Sequence, residues 1–179
     1  MQQELPQGIC ICEEQAQDID GIRQVNRIAF GGEYEAEVVD RLRENCPTIL
    51  SLVAKDGEDV VGHILYSPVY IDQPEGERIC GMGLGPLAVL PVYQGLGIGA
   101  ALSQAGLKRM EMAQHPFVVV LGHPSYYPRF GFEKASTYGI RSAFKNVPEE
   151  AFMIYILDRE GMADVKGVAY YRPEFNISI

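Results

Sequence analysis

This chain of 179 residues is short of almost everything that metal, membrane or nucleic-acid chemistry requires. Its four cysteines, Cys10, Cys12, Cys46 and Cys80, form no C-x-x-C pair, and three histidines do not complete a zinc set, so no metal is expected. The thiols read as reduced and structural, as in a cytoplasmic protein. No apolar run reaches the roughly 20 residues of a membrane span. The opening Met1-Gln2-Gln3-Glu4 lacks the basic and apolar regions of a secretory signal. Cations are scarce, with 15 Lys and Arg against 24 Asp and Glu and a net charge of −9. A nucleic-acid partner demands a basic face and is disfavoured. The acidic excess favours cationic substrates such as amines. Repeats, low-complexity tracts and linkers are absent. The length suits one domain over 1–179, and 47% hydrophobic residues allow a sizeable core.

What the chain does have is glycine in one telling place. In Leu87-Ala88-Val89-Leu90-Pro91-Val92-Tyr93-Gln94-Gly95-Leu96-Gly97-Ile98-Gly99-Ala100, an apolar strand stops at Pro91 and a glycine-dense turn leads into helical spacing. Glycines at 95, 97 and 99 let backbone N–H groups approach a ligand. A helix start adds unpaired N–H groups and the positive end of its dipole. Together they suit phosphate or pyrophosphate. The phosphate loop of nucleotide hydrolases needs Lys and Ser or Thr after the last glycine, but Ala100 and Ala101 stand there. The dinucleotide fingerprint needs G-x-G-x-x-G and an acid about 20 positions on. The spacing here is G-x-G-x-G, and residues 115–121 hold no acid. A plain tight turn is the remaining alternative.

The spacing predicts a first strand over Gly8–Cys12, with Cys10 and Cys12 on one face. A helix starts at Gln17 or Asp18, carries Ile22, Val25, Ile28 and Ala29, and breaks at Gly31-Gly32. A second helix spans Tyr34–Arg43, with Val38, Val39 and Leu42 inward. Strands follow at Ile49–Ala54 and Val60–Tyr66 around an Asp-Gly turn. A long strand over Ile79–Val89 is interrupted by Gly81, Gly83, Gly85 and Pro86, where glycine marks a bulge or a close approach. A helix over Ile98–Gln114, a strand at Phe117–Leu121, a short helix or turn at Pro124–Phe130, and strands at Phe152–Leu157 and 167–171 complete an α/β or α+β layer domain.

Gln94-Gly95-Leu96-Gly97-Ile98-Gly99 resembles the Q/R-x-x-G-x-G/A signature of the GNAT-type N-acetyltransferases. Leu87-Ala88-Val89 is similar to the family's fourth-strand L-A-V segment, and Tyr127-Pro128-Arg129-Phe130-Gly131-Phe132 to its Y-x-x-x-G-F segment. Leu121-Gly122-His123-Pro124-Ser125-Tyr126-Tyr127 and the C-terminal Gly167–Phe175 stretch resemble a bacterial YhbS-like branch. The resemblance covers roughly residues 8–175. It implies a mixed, mostly antiparallel sheet flanked by about four helices, with a splayed fourth strand that admits the pantetheine arm. It implies acetyl-CoA as cosubstrate, an amine acceptor and direct attack in a ternary complex. Family members often dimerise, which makes a homodimer an option here.

Under that resemblance the cofactor-binding residues are Leu87, Ala88, Val89, Gln94, Gly95, Leu96, Gly97, Ile98, Gly99, Ala100 and Tyr127. A backbone N–H near Ala88 or Val89 is placed to receive the thioester carbonyl. Acetyl transfer also needs a proton for the departing thiolate. Tyr127, four residues before Gly131, is the candidate catalytic acid, and its alternative is an aromatic packed under the acetyl slot. Many relatives carry a strand glutamate as base, whereas Cys80-Gly81-Met82-Gly83-Leu84-Gly85 holds no carboxylate. Glu33, Glu35, Glu37, His123 or a water chain are the substitutes, each with a bland alternative as a helix-start acid or a loop residue. Lys108 and Arg109 read as a solvated helix face rather than as phosphate ligands. A catalytically weak acetyl-CoA sensor is the competing function.

Overall fold

In the computed structural model, which describes residues 5–176, the two N-terminal helices form where the apolar spacing puts them. α1 (Ile19–Phe30) buries Ile22 and Val25, and α2 (Tyr34–Asn45) buries Ala36, Val38, Val39 and Leu42. Gly31 closes α1 in the left-handed region at φ 73°, its N–H donating to the Arg27 carbonyl. The third helix, α3, spans Ile98–Met112. These are the three α-helices among the described residues, not about four. The segment expected as a short helix or turn is a single 3₁₀ turn, Tyr127–Phe130, with Pro128 in its first turn and Gly131 at φ 96° ending it.

The strands are β1 (Ile9–Glu13), β2 (Leu50–Asp56), β3 (Asp59–Asp72), β4 (Arg78–Val89), β5 (Phe117–Leu121), β6 (Glu133–Lys134), β7 (Ile140–Ser142), β8 (Phe152–Ile156) and β9 (Gly167–Tyr170). Their hydrogen-bonded order is β1-β2-β3-β4-β5-β8-β6, with β9 joined to β3 and β7. β4–β5 and β7–β9 pair in parallel, whereas β1–β2, β2–β3, β3–β9, β5–β8 and β6–β8 are antiparallel. The sheet is therefore mixed and mostly antiparallel, as the sequence resemblance implies.

β3 runs six residues past the expected end at Tyr66, through Pro68. Proline lacks an N–H and interrupts a ladder. Here the β2 ladder ends at Tyr66 and the β9 ladder begins at Tyr70, so Pro68 falls in the gap between them. β6 and β7 escape sequence reading because strands of two and three residues carry no period.

The chain falls into two compact units. One draws on the chain up to Tyr66, on Pro86–Gly106 and on the chain from Glu174; the other on Ser67–Gly85 and Leu107–Pro173. In the first, Ile22, Val25, Val38, Val39, Leu42, Val53, Leu65 and Ala88 form one core. A buried polar chain runs through it. Asn26 Nδ2 donates to the Ile22 carbonyl and to His63 Nδ1, both at 3.0 Å. His63 therefore carries its proton on Nε2 and donates to Ser51 Oγ at 2.9 Å. Ser51 donates in turn to Glu14, whose carboxylate holds Arg43 at 2.7 and 3.1 Å. Burial keeps His63 neutral, its pKa pushed down to about 3. In the second unit, Val69, Ile71, Phe117, Val119, Ile140, Phe152 and Ile154 form the core.

No helix among the described residues is long and apolar enough to cross a membrane. All four cysteines are free. Cys46 is buried, whereas Cys10 and Cys80 are exposed and so do not fill a core.

Candidate active site

The site begins with a miscount between two strands. Gln73 N donates to the Glu77 carbonyl, and at the far end Leu90 N donates to the Val61 carbonyl. Between these pairs β3 advances twelve residues and β4 thirteen, taken from the numbering of the same bonds. β4 therefore holds one extra residue, a β-bulge. Side-chain faces locate it. Gly83 faces Val69, whose Cγ2 would lie 2.7 Å from a Cβ at that glycine, whereas Ala88 has joined the core of α1 and α2 with Leu65. An odd and an even position of β4 share a face with odd positions of β3, so the slip lies between Gly83 and Ala88.

Beyond the bulge β4 has a strand on one side only, because the β5 ladder covers Met82–Leu84. Leu90 points its N–H toward β3, so by strand alternation Leu87 and Val89 present their N–H and C=O groups to the open side. The Val89 carbonyl accordingly accepts from Gln94 Nε2 at 3.0 Å. Ala88 points its backbone the other way and its side chain into the core.

The chain then turns. A 3₁₀ turn, Pro91–Tyr93, is followed by Gly95 at φ 77° and Gly97 at φ 83°, conformations that favour glycine. Ala101 N to the Gly97 carbonyl, 3.0 Å, is the first bond of α3. The N–H groups of Ile98, Gly99 and Ala100 precede it and lack intrahelical acceptors. No acidic residue stands in this first turn. Gly99 lies within α3 and is not among the positive-φ glycines, so no special φ calls for glycine there. Two contacts fix the helix. A Cβ at Gly62 would lie 3.1 Å from both Ile98 and Leu102, and one at Gly106 would lie 2.3 Å from the Tyr66 ring, so β3 and α3 meet at two glycines. Leu96 stays partly exposed in the turn, whereas Ile98 is buried and anchors it.

Tyr127 lies in the second unit. Its ring meets Tyr126 edge-on at 5.0 Å and Phe132 at 5.6 Å. It rests on Gly122, where a Cβ would lie 2.3 Å from Tyr127 Cε2. Gly122 N donates to the Ala151 carbonyl at 2.9 Å, which fixes that platform to the chain before β8. The Arg129 guanidinium stacks 4.3 Å from the Tyr126 ring and donates to the Tyr126 carbonyl at 3.0 Å. Burial, with a smaller push from Tyr126, raises the Tyr127 phenol far above the ordinary tyrosine value. It is a proton donor at every physiological pH.

Two of the substitute bases are held in ion pairs. Glu33 pairs with Arg27 and with Arg23, and Glu37 lies 4.0 Å from Arg41. The His123 carbonyl accepts from Tyr126 N at 3.0 Å, which orders the turn leading into Tyr127. Lys108 and Arg109 are exposed on α3, as a solvated face would have them. Gly122 stands in a segment quoted for the resemblance, but its place under the Tyr127 ring is visible only in the fold.

The family profile described as Acetyltransferase (GNAT) domain matches residues 12–135. The protein belongs to the GNAT acetyltransferase family. The N-acetyltransferase YhbS of Escherichia coli K12 is 36% identical over 160 residues, covering 89% of this chain and 93% of the relative. The crystal structure of Escherichia coli YhbS in complex with CoA superposes with a TM-score of 0.88 at 34% identity, covering 97% of this chain and 94% of that one. A GNAT acetyltransferase from Brucella melitensis in complex with acetyl-CoA gives 0.76 at 34% identity, covering 94% and 98%. The GNAT fold and the YhbS-like branch of this enzyme family follow from these likenesses.

Proposed function

We propose that this protein, one acetyltransferase domain over 1–179, moves an acetyl group from acetyl-CoA to a primary amine of a small molecule or protein, by direct attack in a ternary complex. The observation that carries the reading is the acid-free start of α3 behind two positive-φ glycines, beside a strand edge left open by a bulge. The N–H groups of Gly97, Ile98, Gly99 and Ala100 hold the pyrophosphate, with Gly95 and Leu96 shaping the turn and Gln94 bracing it through the Val89 carbonyl. The open edge narrows the choice for the thioester: its carbonyl takes an N–H from Leu87 or Val89, and Ala88 serves from the core. Such a donor also stabilises the oxyanion that forms on attack.

The amine nitrogen bonds to the carbonyl carbon, the carbon–sulfur bond breaks, and the proton that the nitrogen gives up passes to solvent, which restores the proton Tyr127 gives to the sulfur. Tyr127 supplies a proton or a strong hydrogen bond to the leaving sulfur. CoA and acetyl-CoA in the YhbS and Brucella complexes support the cosubstrate. The absence of a carboxylate from Cys80–Gly85 favours a second reading, a weakly active acetyl-CoA sensor. An amine panel with acetyl-CoA separates the two. Thiol release matched mole for mole by acetylated amine in the mass spectrum supports transfer. Tight CoA binding with no acetylated amine supports the sensor.

A further inference from the structure

Cys10 and Cys12 take no part in the site above. They alternate along β1, so both point to one face of the sheet. The pairing with β2 sets Cys10 opposite Lys55 and Cys12 opposite Val53. Val53 belongs to the core with α1 and α2, and Cys12 packs against that core, so the shared face is the one the helices cover. Cys10 lies close enough to Cys12 to act on its thiol through a side-chain hydrogen bond. Both thiols are free, and Cys10 is exposed. β1 ends the hydrogen-bonded order of the sheet, so the pair stands at its rim, with Cys10 open to solvent. The carboxylate beside the pair is taken. Lys55 Nζ donates to Asp18 Oδ1 at 3.0 Å, and Gln15 N donates to Asp18 Oδ2 at 2.9 Å. Among the described residues no group of three His, Cys, Asp or Glu is placed to hold a metal ion.

Strand spacing decides what the pair can do. At about 3.3 Å per residue, side chains two positions apart on a strand leave it about 6.6 Å apart. A disulfide needs its Cβ atoms roughly 3.5–4.5 Å apart, so β1 cannot close one while it keeps its ladder with β2. An ion between the sulfurs fits the wider gap. At about 2.3 Å per bond, the length zinc makes to cysteine, two sulfurs on opposite sides of an ion lie about 4.6 Å apart. Zinc itself takes four donors, and magnesium and calcium take oxygens. Two thiolates without a third donor suit a soft ion of low coordination, and copper(I) is such an ion among those that thiolates select. We propose that Cys10 and Cys12 bind one copper(I) ion between them, as a two-coordinate site on the edge strand. Each sulfur gives its proton to solvent as its bond to the ion forms, so one ion displaces two protons and no electron moves.

The test mixes reduced, CoA-free protein, without air, with copper(I) held by a coloured chelator. Wild type should withdraw one ion per chain, and Cys10→Ser and Cys12→Ser should each withdraw none. Cys80→Ser, which removes the other exposed thiol, should behave as wild type. Cys10 is exposed, so Cys10→Ser should melt as wild type, and it decides the matter if Cys12→Ser folds poorly. X-ray absorption at the copper edge should show two sulfur neighbours and no nitrogen or oxygen. Copper left with the chelator by wild type, or withdrawn equally by Cys10→Ser, overturns the proposal. Copper found in the native mass spectrum only on pairs of chains also overturns it, because the ion would then bridge two copies. None of these readouts involves acetyl transfer, so the site stands or falls apart from that reading.

Discussion

The Gly95–Ala100 turn and the Tyr127–Tyr171 region are built in opposite ways. The turn is made of backbone. Its shape comes from positive φ at Gly95 and Gly97, and its donors are the N–H groups that open α3. The tyrosine region is made of side chains, the buried Tyr127 ring packed edge-on against Tyr126 and Phe132. Backbone N–H groups suit an anion that needs many donors and no selectivity. Buried phenols suit a proton placed on one atom. The contrast predicts that damage to the turn appears as lost CoA binding, and damage to Tyr127 as lost turnover.

The largest effect is expected at Gly99. A glutamate there stands in the first turn of a helix, where an acid is favourable to the fold. The same charge would lie against the pyrophosphate proposed for this turn, and at about 4 Å the repulsion would be worth several kcal/mol at intermediate dielectric. Gly99→Glu should weaken CoA binding at least about 100-fold by calorimetry while the protein melts as wild type. Unchanged affinity would remove the pyrophosphate from this turn.

Tyr127→Phe comes next. General acids contribute about 10²–10⁴-fold, and a thiolate leaves fairly well unaided, so the loss belongs to the lower part of that range. It should fall on kcat, with CoA affinity intact. A drop of less than about threefold, well below the general-acid range, would make Tyr127 a packing residue and move attention to Tyr126. Gly122→Ala sharpens the same point without touching the phenol. Its Cβ would lie 2.3 Å from the ring, so the ring must shift. About tenfold in kcat is expected from that displacement, with a lower melting temperature. A variant as active and as stable as wild type would mean that the ring's position is unimportant.

A change in the buried polar chain of the first unit should move stability alone. His63 has an ordinary pKa of 6.5 when unfolded and about 3 when folded, so the unfolded chain binds more protons between those values. Stability is present above pH 6.5 and is lost as pH falls toward 3. The lowered pKa of Glu14, held down by its bonds from Arg43 and Ser51 against its own burial, acts in the same direction at the acid end. The His63 share is on the order of 3 kcal/mol once relaxation of the site is allowed for. Urea midpoints measured across this range should fall steadily below pH 6.5 in wild type and less steeply in His63→Phe. Parallel curves would show that His63 does not titrate on unfolding.

The two regions also differ in how legible they are. The turn occupies consecutive positions, so Gln94, Gly95, Gly97 and the start of α3 at Ile98 stand in the sequence in the order they act. Tyr127 is readable through its spacing to Gly131. The place of Tyr171 is not, because it packs over Gly83 only once β4 and the segment after β9 are folded. The bulge was suggested by glycine but required the two hydrogen-bonded pairs that flank it to be counted. The choice of Leu87 and Val89 over Ala88 likewise depends on which side each N–H faces, which composition does not carry.

Amide and tyrosine-ring resonances followed during titration with CoA, and separately with acetyl-CoA, test the division between the two regions most directly. Both ligands should move the N–H signals of Gly97, Gly99 and Ala100 equally, while the Tyr127 ring signals should differ between them, because only one ligand carries the thioester. Saturable binding that leaves the Gly97–Ala100 amides unmoved would contradict the account.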